Sequence, residues 1–312
     1  MTPPRISVQI PVKDGGGEFR RCLQSLREQE SSGFNWELII VDDGSEEPVE
    51  DSFDLDFPAN VSVRVIRMEK GGNRPAARNA AWKRAEAPVS FLTDGDILFS
   101  PDILRRHLEA HDSGGWHAVM GARVNSWMED STPWQEWFDT RGMGGRPAGE
   151  FPGRYFVTGN LSIKTCLLES SGGFDPAIDK YGGEDTELGF RLERQGARMY
   201  WDPHLRVDHL DDVTVRMHSR KMVEYGGSGL RYTLEKIPEA SGLLGSDWLK
   251  PILAHPRSPS TVFMRLLSRV MLLPPVYRLV LVWMEKVGKP RFLFTYLSVG
   301  ACLLGLSGRN FE

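Results

Sequence analysis

A chain of 312 residues, 40% hydrophobic and 26% charged, can bury a sizeable core and has the make-up of a globular protein. Its net charge of −4 is uneven: residues 251–312 carry eight basic residues (Arg257, Arg265, Arg269, Arg278, Lys286, Lys289, Arg291, Arg309) against Glu285 and Glu312, so the tail is +6 and the rest −10. The acidic body excludes a nucleic-acid footprint, three scattered cysteines exclude a disulfide framework or CxxC site and fit a reducing compartment, and the lack of GxGxxG or GxxxxGK[ST] disfavours dinucleotide dehydrogenases and P-loop NTPases.

The N-terminal MTPPRISVQIPVKDGGG has no long apolar run, so no cleaved signal peptide is expected. Within it Ile6, Val8, Ile10 and Val12 alternate up to Lys13-Asp14-Gly15-Gly16-Gly17, which predicts a strand and a loop. A helix follows, with Phe19, Cys22, Leu23 and Leu26 at helical spacing. WELIIVDDGS is a continuous apolar run ending in two acids and a turn, the pattern of a parallel strand buried on both faces. VSVRVIR predicts a third strand, RPAARNAAWKRAEA an Ala-rich helix, and PVSFLTDGD a fourth strand that again ends in acids. PDILRRHLEAH begins a helix with Pro in its first turn. This alternation over the first 112 residues predicts an α/β fold, a mostly parallel central sheet flanked by helices. Such sheets bind ligands beyond the carboxyl ends of their strands, where both Asp42-Asp43 and Asp94-Gly95-Asp96 fall.

Residues 113–160 are rich in Gly and Trp and read as irregular, with strands at HAVMGARV and FVTGNLSIK. Trp127, Trp134, Trp137 and Phe138 suit either stacking on an acceptor or pinning the segment to a core. Then come a helix in DKYGGEDTELGFRLERQG, a strand at ARMYWDP, a loop HLRVDHLDD, and a helix over residues 214–235.

Several of these residues could carry chemistry. Asp94 and Asp96 flank a glycine that lets both carboxylates approach one point and hold a divalent cation, although a DxD is also a common solvated turn. His209 with two Asp makes a mixed O/N set suited to Mn²⁺, with His204 as competitor and a structural role as the alternative. Asp43 can accept from a base edge such as the uracil imide, and Arg78 offers a planar fork to a base carbonyl or phosphate; a turn acid and a surface arginine are the plainer readings. Glu184 and Asp185 follow Gly182-Gly183 at a helix start, as caps or as acid–base groups meeting a substrate close to glycine backbone. A helix N-terminus lowers a carboxylate's pKa and burial raises it, so that balance is open.

SVQIPVKD, ELIIVDDGS, GGNRPAARNAA, SFLTDGDILFSPDILRRHL, TGNLSIK and GGFDPAIDKYGGEDTELGFRL, followed by a later His, occur in that order. Over residues 5–235 the chain resembles the family 2 glycosyltransferases of the GT-A fold, and GGFD…YGGEDTELGFR is similar to the galactosyltransferase-type C-terminal half of the catalytic domain. The resemblance implies that Pro11, Val12 and Asp43 line the base, that Arg78 lies near base and phosphates, and that Asp96 binds metal with Asp94 nearer the ribose or donor sugar. It further implies that His209 completes the metal site, with Mn²⁺ or Mg²⁺ as cofactor, and that Asp185 is the general base assisted by Glu184. Gly159, Asn160, Tyr181, Gly182 and Gly183 would line donor or acceptor sugar. Departures are Lys13-Asp14 in the first loop, Thr93 before the DxD, and Tyr181 where Trp is common.

The implied organisation is a catalytic domain over 1–235 (a nucleotide-binding half, 1–112, and an acceptor half, 113–235) and a basic, apolar helical extension over 236–312. In that extension Arg265 and Arg269 form a basic stripe beside Phe263, Leu266, Leu267 and Val270, and the uncharged run Phe292–Gly308 falls at the lower edge of a span. Peripheral contact with the cytoplasmic face of a membrane, dimerisation, and a helical subdomain that packs its apolar face on itself are all open, in a cytoplasmic protein. The expected activity is transfer of a hexosyl or N-acetylhexosaminyl group from a UDP-sugar, with inversion, to a saccharide, lipid-linked, peptide or small-molecule acceptor. A nucleotidyltransferase and a non-catalytic nucleotide-sugar-binding protein are the alternatives.

Overall fold

The computed structural model describes residues 2–31, 33–125, 131–211, 213–249 and 258–312. In chain order the first elements are β1 (Ile6–Val12), α1 (Gly17–Arg27), β2 (Trp36–Asp42), the short α2 (Val49–Ser52), β3 (Val61–Arg67), α3 (Arg74–Trp82) and β4 (Val89–Thr93). Then come β5 (Ile97–Phe99), α4 (Ile103–Gly114), β6 (Ala118–Asn125), α5 (Pro133–Asp139), β7 (Gly149–Glu150) and β8 (Asn160–Lys164). The chain continues through α6 (Thr165–Ser171), α7 (Glu184–Arg194), β9 (Met199–His209) and α8 (Val215–Tyr225). It closes with α9 (Arg231–Lys236), α10 (Ala240–Leu243), α11 (Pro259–Met271), α12 (Pro274–Val287) and α13 (Phe292–Leu306).

Two compact units result. The first comprises Met1–Met128, Asp139–Asp179 and Glu184–Asp211. Its sheet, nine-stranded among the described residues, runs β3-β2-β1-β4-β8-β6-β9-β5, with β7 on β9. The pairs among β1 to β4 are parallel, as the strand–helix alternation requires. Past β4 the sheet is mixed: β8 is antiparallel to both β4 and β6, while β6 and β9 are parallel. The connections between β1, β2, β3 and β4 carry α1, α2 and α3 and are long enough to cross over and return each strand in the same direction.

Helices α1 and α4 cover one face, with Phe19, Leu23, Leu26, Ile103 and Leu108 against Ile6, Val8, Ile10 and Phe91. On the other face α3 sets Ala77 and Ala81 on Ile39 and Val41, and α7 sets Leu188 and Leu192 on Leu161 and Ile163. β1 is buried on both faces despite its alternation, and Gln9 of its polar set donates to Ser90 Oγ at 2.8 Å.

β5 is not among the strands the sequence predicts; its Ile97 and Phe99 pair with His209 and Val207. Two local expectations need correction. HLRVDHLDD is not loop throughout: β9 continues to His209, with a register break opposite Gly121/Ala122 around Pro203, a residue that cannot donate to a ladder. The irregular middle contains α5, opened by a reciprocal cap in which Gln135 N–H donates to Thr132 Oγ1 at 3.3 Å and Thr132 N–H to Gln135 Oε1 at 2.8 Å.

The second unit comprises Glu129–Phe138, Lys180–Gly183 and Asp212–Glu312. α8 runs through a π-helical turn, Gly226–Leu230, into α9, much as the pattern over 214–235 predicts. α13 packs on α8 and the π-helical turn through glycines: a Cβ on Gly226 would lie 2.0 Å from Cys302 O, and one on Gly305 1.9 Å from Val223 O. Trp134 stacks on Trp137 and contacts Phe138, His218 and Phe294, so these aromatics pin their segment to a core. Trp127 lies outside the described residues.

Candidate active site

The site is built at the carboxyl ends of β1, β2 and β4. At the end of β2 two adjacent acids have opposite fates. Asp42 is fully buried; it accepts from Ser45 N–H at 2.8 Å and pairs with Arg67 at 2.5 Å. Burial opposes its charge, but these donors and the guanidinium hold its carboxyl below the usual range, which makes it a lock on the turn. Asp43 accepts from Gly72 N–H at 2.9 Å, and its Oδ1 is buried without a partner among the described residues. Gly71 must be glycine here, because a Cβ would fall 1.7 Å from Asp43 O. Pro11 and Val12 lie alongside, with Asp43 N–H donating to Val12 O at 2.8 Å. Asp14, at φ +49°, ties this loop to the next: its N–H reaches Ser45 Oγ at 2.9 Å and its Oδ1 accepts from Glu46 N–H at 2.8 Å.

β4 ends in Asp94-Gly95-Asp96, and the two acids part. Asp94 turns to Arg78, 2.8 Å away and 1% exposed, with Arg123 at 3.5 Å. Burial would raise its pKa, but Arg78, Arg74 and Arg123 bring it down to about 2. Arg78 is therefore no surface arginine; it also lies 5.9 Å from the Phe174 ring. Asp96 turns to β9, where its C=O accepts from Leu210 N–H at 2.9 Å and its Oδ2 lies 3.3 Å from His209 Nε2. Asp96 Oδ1 is buried without a partner among the described residues.

A ligand atom from each of Asp96, His209 and Asp211 lies within 4.8 Å of the others. Asp94, expected to share a cation with Asp96, is held instead by arginines, and Asp211 takes the third place. The signal for Asp211 is in VDHLDD, since residues two apart on an extended segment share a side. His204 is exposed on the β9 bulge, its N–H bonded to Asp202 at 2.8 Å.

At the start of α7, Asp185 accepts from Thr158 through its N–H and its Oγ1, both at 3.2 Å. Burial raises its pKa, opposed by Arg78 and the Thr158 N–H. Glu184 is 3% exposed, and burial and then the charge of Asp185 push it up to about 7. Desolvation thus wins over the helix N-terminus. Gly159, at φ +110°, lies beside Asp94; a Cβ there would be 2.9 Å from Arg123 Nη1 and 3.3 Å from Asp94 Oδ2.

Asn160 is a correction. Its amide donates to Ala122 O at 2.9 Å and Leu205 O at 2.8 Å, and its Oδ1 meets His107 Nε2 at 3.0 Å, so it cross-links the sheet and has no donor left for a sugar. Tyr181, Gly182 and Gly183 belong to the second unit. There Lys221 lies 5.7 Å from the Tyr181 ring, and a Cβ on Gly183 would be 2.7 Å from Gly229 Cα. Thr158, Arg123 and Arg74 were not singled out in the sequence; only Arg74 had a readable signal, four residues before Arg78 on one helix face.

A family model described as glycosyl transferase family 2 matches residues 7–166. The chain is 27% identical over 224 residues to validoxylamine A glucosyltransferase of Streptomyces hygroscopicus subsp. limoneus, a match covering 63% of this chain and 49% of that protein. It is 27% identical over 230 residues to the pre-mycofactocin glycosyltransferase of Mycobacterium tuberculosis, covering 72% and 46% respectively. The chain thus spans about half the length of the curated relatives it matches. Among solved structures it resembles the mannosyltransferase PcManGT of Pyrobaculum calidifontis, in complex with GDP-Man and Mn²⁺, with a TM-score of 0.63 at 16% identity over 98% of this chain and 86% of that one. The structure of S. aureus TarS 1-349 with UDP gives a TM-score of 0.55 at 15% identity, over 99% and 93%. At such identities the likeness is one of fold.

Proposed function

Because the chain belongs to glycosyl transferase family 2, we propose that it transfers a hexosyl or N-acetylhexosaminyl group from a nucleotide-sugar, a UDP-sugar first among the candidates, to an acceptor hydroxyl with inversion. The observation that carries this reading is the sorting of acids at the strand ends: Asp94 onto arginines, Asp96 onto His209 and Asp211, and Asp185 onto Thr158.

In this reading Asp43 accepts the imide N–H of the base. Asp94, ionised by its arginines, accepts from ribose or donor-sugar hydroxyls. Asp96, His209 and Asp211 fit Mn²⁺ or Mg²⁺, since hard oxygens and one imidazole suit either and one Asp96 oxygen is buried without a protein partner among the described residues. When bound, the cation neutralises charge developing on the diphosphate. Asp185 takes the proton of the acceptor hydroxyl as its oxygen bonds to the anomeric carbon; the bond from that carbon to the phosphate oxygen breaks, and the nucleoside diphosphate leaves. Burial raises the pKa of both neighbouring acids, and Arg78 and the Thr158 N–H are the groups that favour the ionised form of Asp185 a base requires.

The test is release of UDP, GDP and TDP from their sugar conjugates with and without Mn²⁺. GDP belongs in the screen because the mannosyltransferase neighbour was solved with GDP-Man. We expect metal-dependent turnover of one donor, a loss of about 100-fold or more in Asp96→Ala, and a loss of roughly 100- to 10,000-fold in transfer for Asp185→Asn. Transfer by Asp185→Asn at the wild-type rate would remove the base, and pyrophosphate release from a nucleoside triphosphate would indicate a nucleotidyltransferase.

A further inference from the structure

Helix α11 is turned inside out. Its buried residue is Arg265, 4% exposed, while Phe263 is 63% exposed and Leu266, Leu267 and Val270 between 41% and 53%. At the helical period those four apolar side chains share one stripe, on the side opposite Arg265. The expected basic stripe of Arg265 and Arg269 beside these residues is therefore divided, with Arg265 turned inward. α12 is apolar on both faces. Tyr277, Leu281 and Met284 point into the core, while Leu279, Trp283 and Val287, four apart in sequence, are exposed. The two helices meet at a bend of 75°. Exposed apolar residues scattered singly need no explanation, but stripes on two consecutive helices mark a surface that something covers.

Charge selects the occupant. Arg269, Arg278, Lys286 and Lys289 are exposed around the stripes. The one acid of α12, Glu285, is held by Arg216 of α8 at 2.6 Å, and Glu312 pairs with Arg220. The rim is therefore positive. A second copy meeting this face about a two-fold axis would set like charges together, which disfavours it, whereas an anionic surface complements it. Among the described residues no single helix is long and apolar enough to cross a membrane, and α11 and α12 reach the length and composition of a span only when taken together across their 75° bend.

We propose that the outward stripes of α11 and α12 form an interfacial docking surface for an anionic phospholipid bilayer. The helices lie in the interface plane, with Phe263, Leu267, Leu279 and Trp283 at the acyl boundary and Arg278 and Lys286 at the headgroup phosphates. The inference is independent of the transfer reaction, since it rests on the second unit alone.

The experiment is flotation of the full chain with vesicles of phosphatidylcholine and phosphatidylglycerol, against phosphatidylcholine alone, at low and high salt. Wild type should float with the anionic vesicles and be released in part by salt. Phe263→Ser/Leu279→Ser/Trp283→Ser should lower the bound fraction about tenfold. Arg278→Glu/Lys286→Glu should abolish the preference for the anionic lipid. Circular dichroism of each variant, matching wild type, shows that loss of binding is not loss of fold. Wild type remaining in the soluble fraction with anionic vesicles would overturn the proposal. So would a dimer in sedimentation that the apolar substitutions dissociate, since the occupant would then be a second copy.

Discussion

Asp94 and Glu184 show opposite effects of burial on a carboxylate. Asp94 keeps its charge because Arg78, Arg74 and Arg123 face it, and its pKa falls from 3.8 to about 2. A depressed pKa means stability that is present above the unfolded value and lost as pH falls through the folded one, worth roughly 2 kcal/mol here. Asp94→Asn should accordingly flatten the decline in stability between about pH 4 and pH 2, read from urea melts across that range. Glu184 has no such compensation: burial and the charge of Asp185 raise its pKa from 4.5 to about 7. The sign reverses, because the folded state now binds the proton more tightly and stability falls as pH rises from the unfolded value through about 7. Glu184→Gln should thus stabilise the protein at pH 8 by up to about 3 kcal/mol and leave it unchanged at pH 4, as thermal melts at the two pH values would show. A stabilising loss of a buried charge is what a strained functional position gives, and an unchanged melting temperature at pH 8 would place Glu184 in a better-solvated site.

At the scale of elements, the ends of strands and helices decide where chemistry goes. β4 ends in an acid on either side of a glycine, and the chain resumes at once as β5, paired to β9. That pairing carries Asp96 to His209 and leaves Asp94 on the side of α3. α5 is held at its start by the reciprocal bonds of Thr132 and Gln135, and Pro133 fits the first helical position. Thr132→Ala removes one half of this cap and should destabilise the protein by about 1 kcal/mol in chemical denaturation, with the denaturant slope unchanged. No loss would mean that packing of Trp134 alone forms the helix.

At the scale of the molecule, two units each have a core of their own: the sheet with its helices, and a helical core around Tyr277, Phe294 and Leu304. The second leaves its apolar stripes outward. Because Phe263 and Leu279 are 63% and 72% exposed, Phe263→Ser/Leu279→Ser should shift stability by no more than about 0.5 kcal/mol per site while raising solubility. A large drop in melting temperature would mean that the stripes are covered within the chain.

The sequence by itself determined the parallel half of the sheet, because alternating and continuous apolar runs separated by amphipathic stretches can be satisfied locally, and it placed Asp43, Asp94, Asp96 and Asp185 at element ends. The ordered motifs pointed to the family that residues 7–166 match. Only tertiary structure decided what each acid faces. Asp211 joins Asp96 through strand pairing, Asn160 is consumed by the sheet, Arg78 is buried against Asp94, and Thr158 supports Asp185. These contacts join residues from 16 to more than a hundred positions apart, and no local periodicity encodes them. The same holds for α11: its hydrophobic pattern shows that one face differs from the other, and packing alone decides that the arginine goes in and the phenylalanine out.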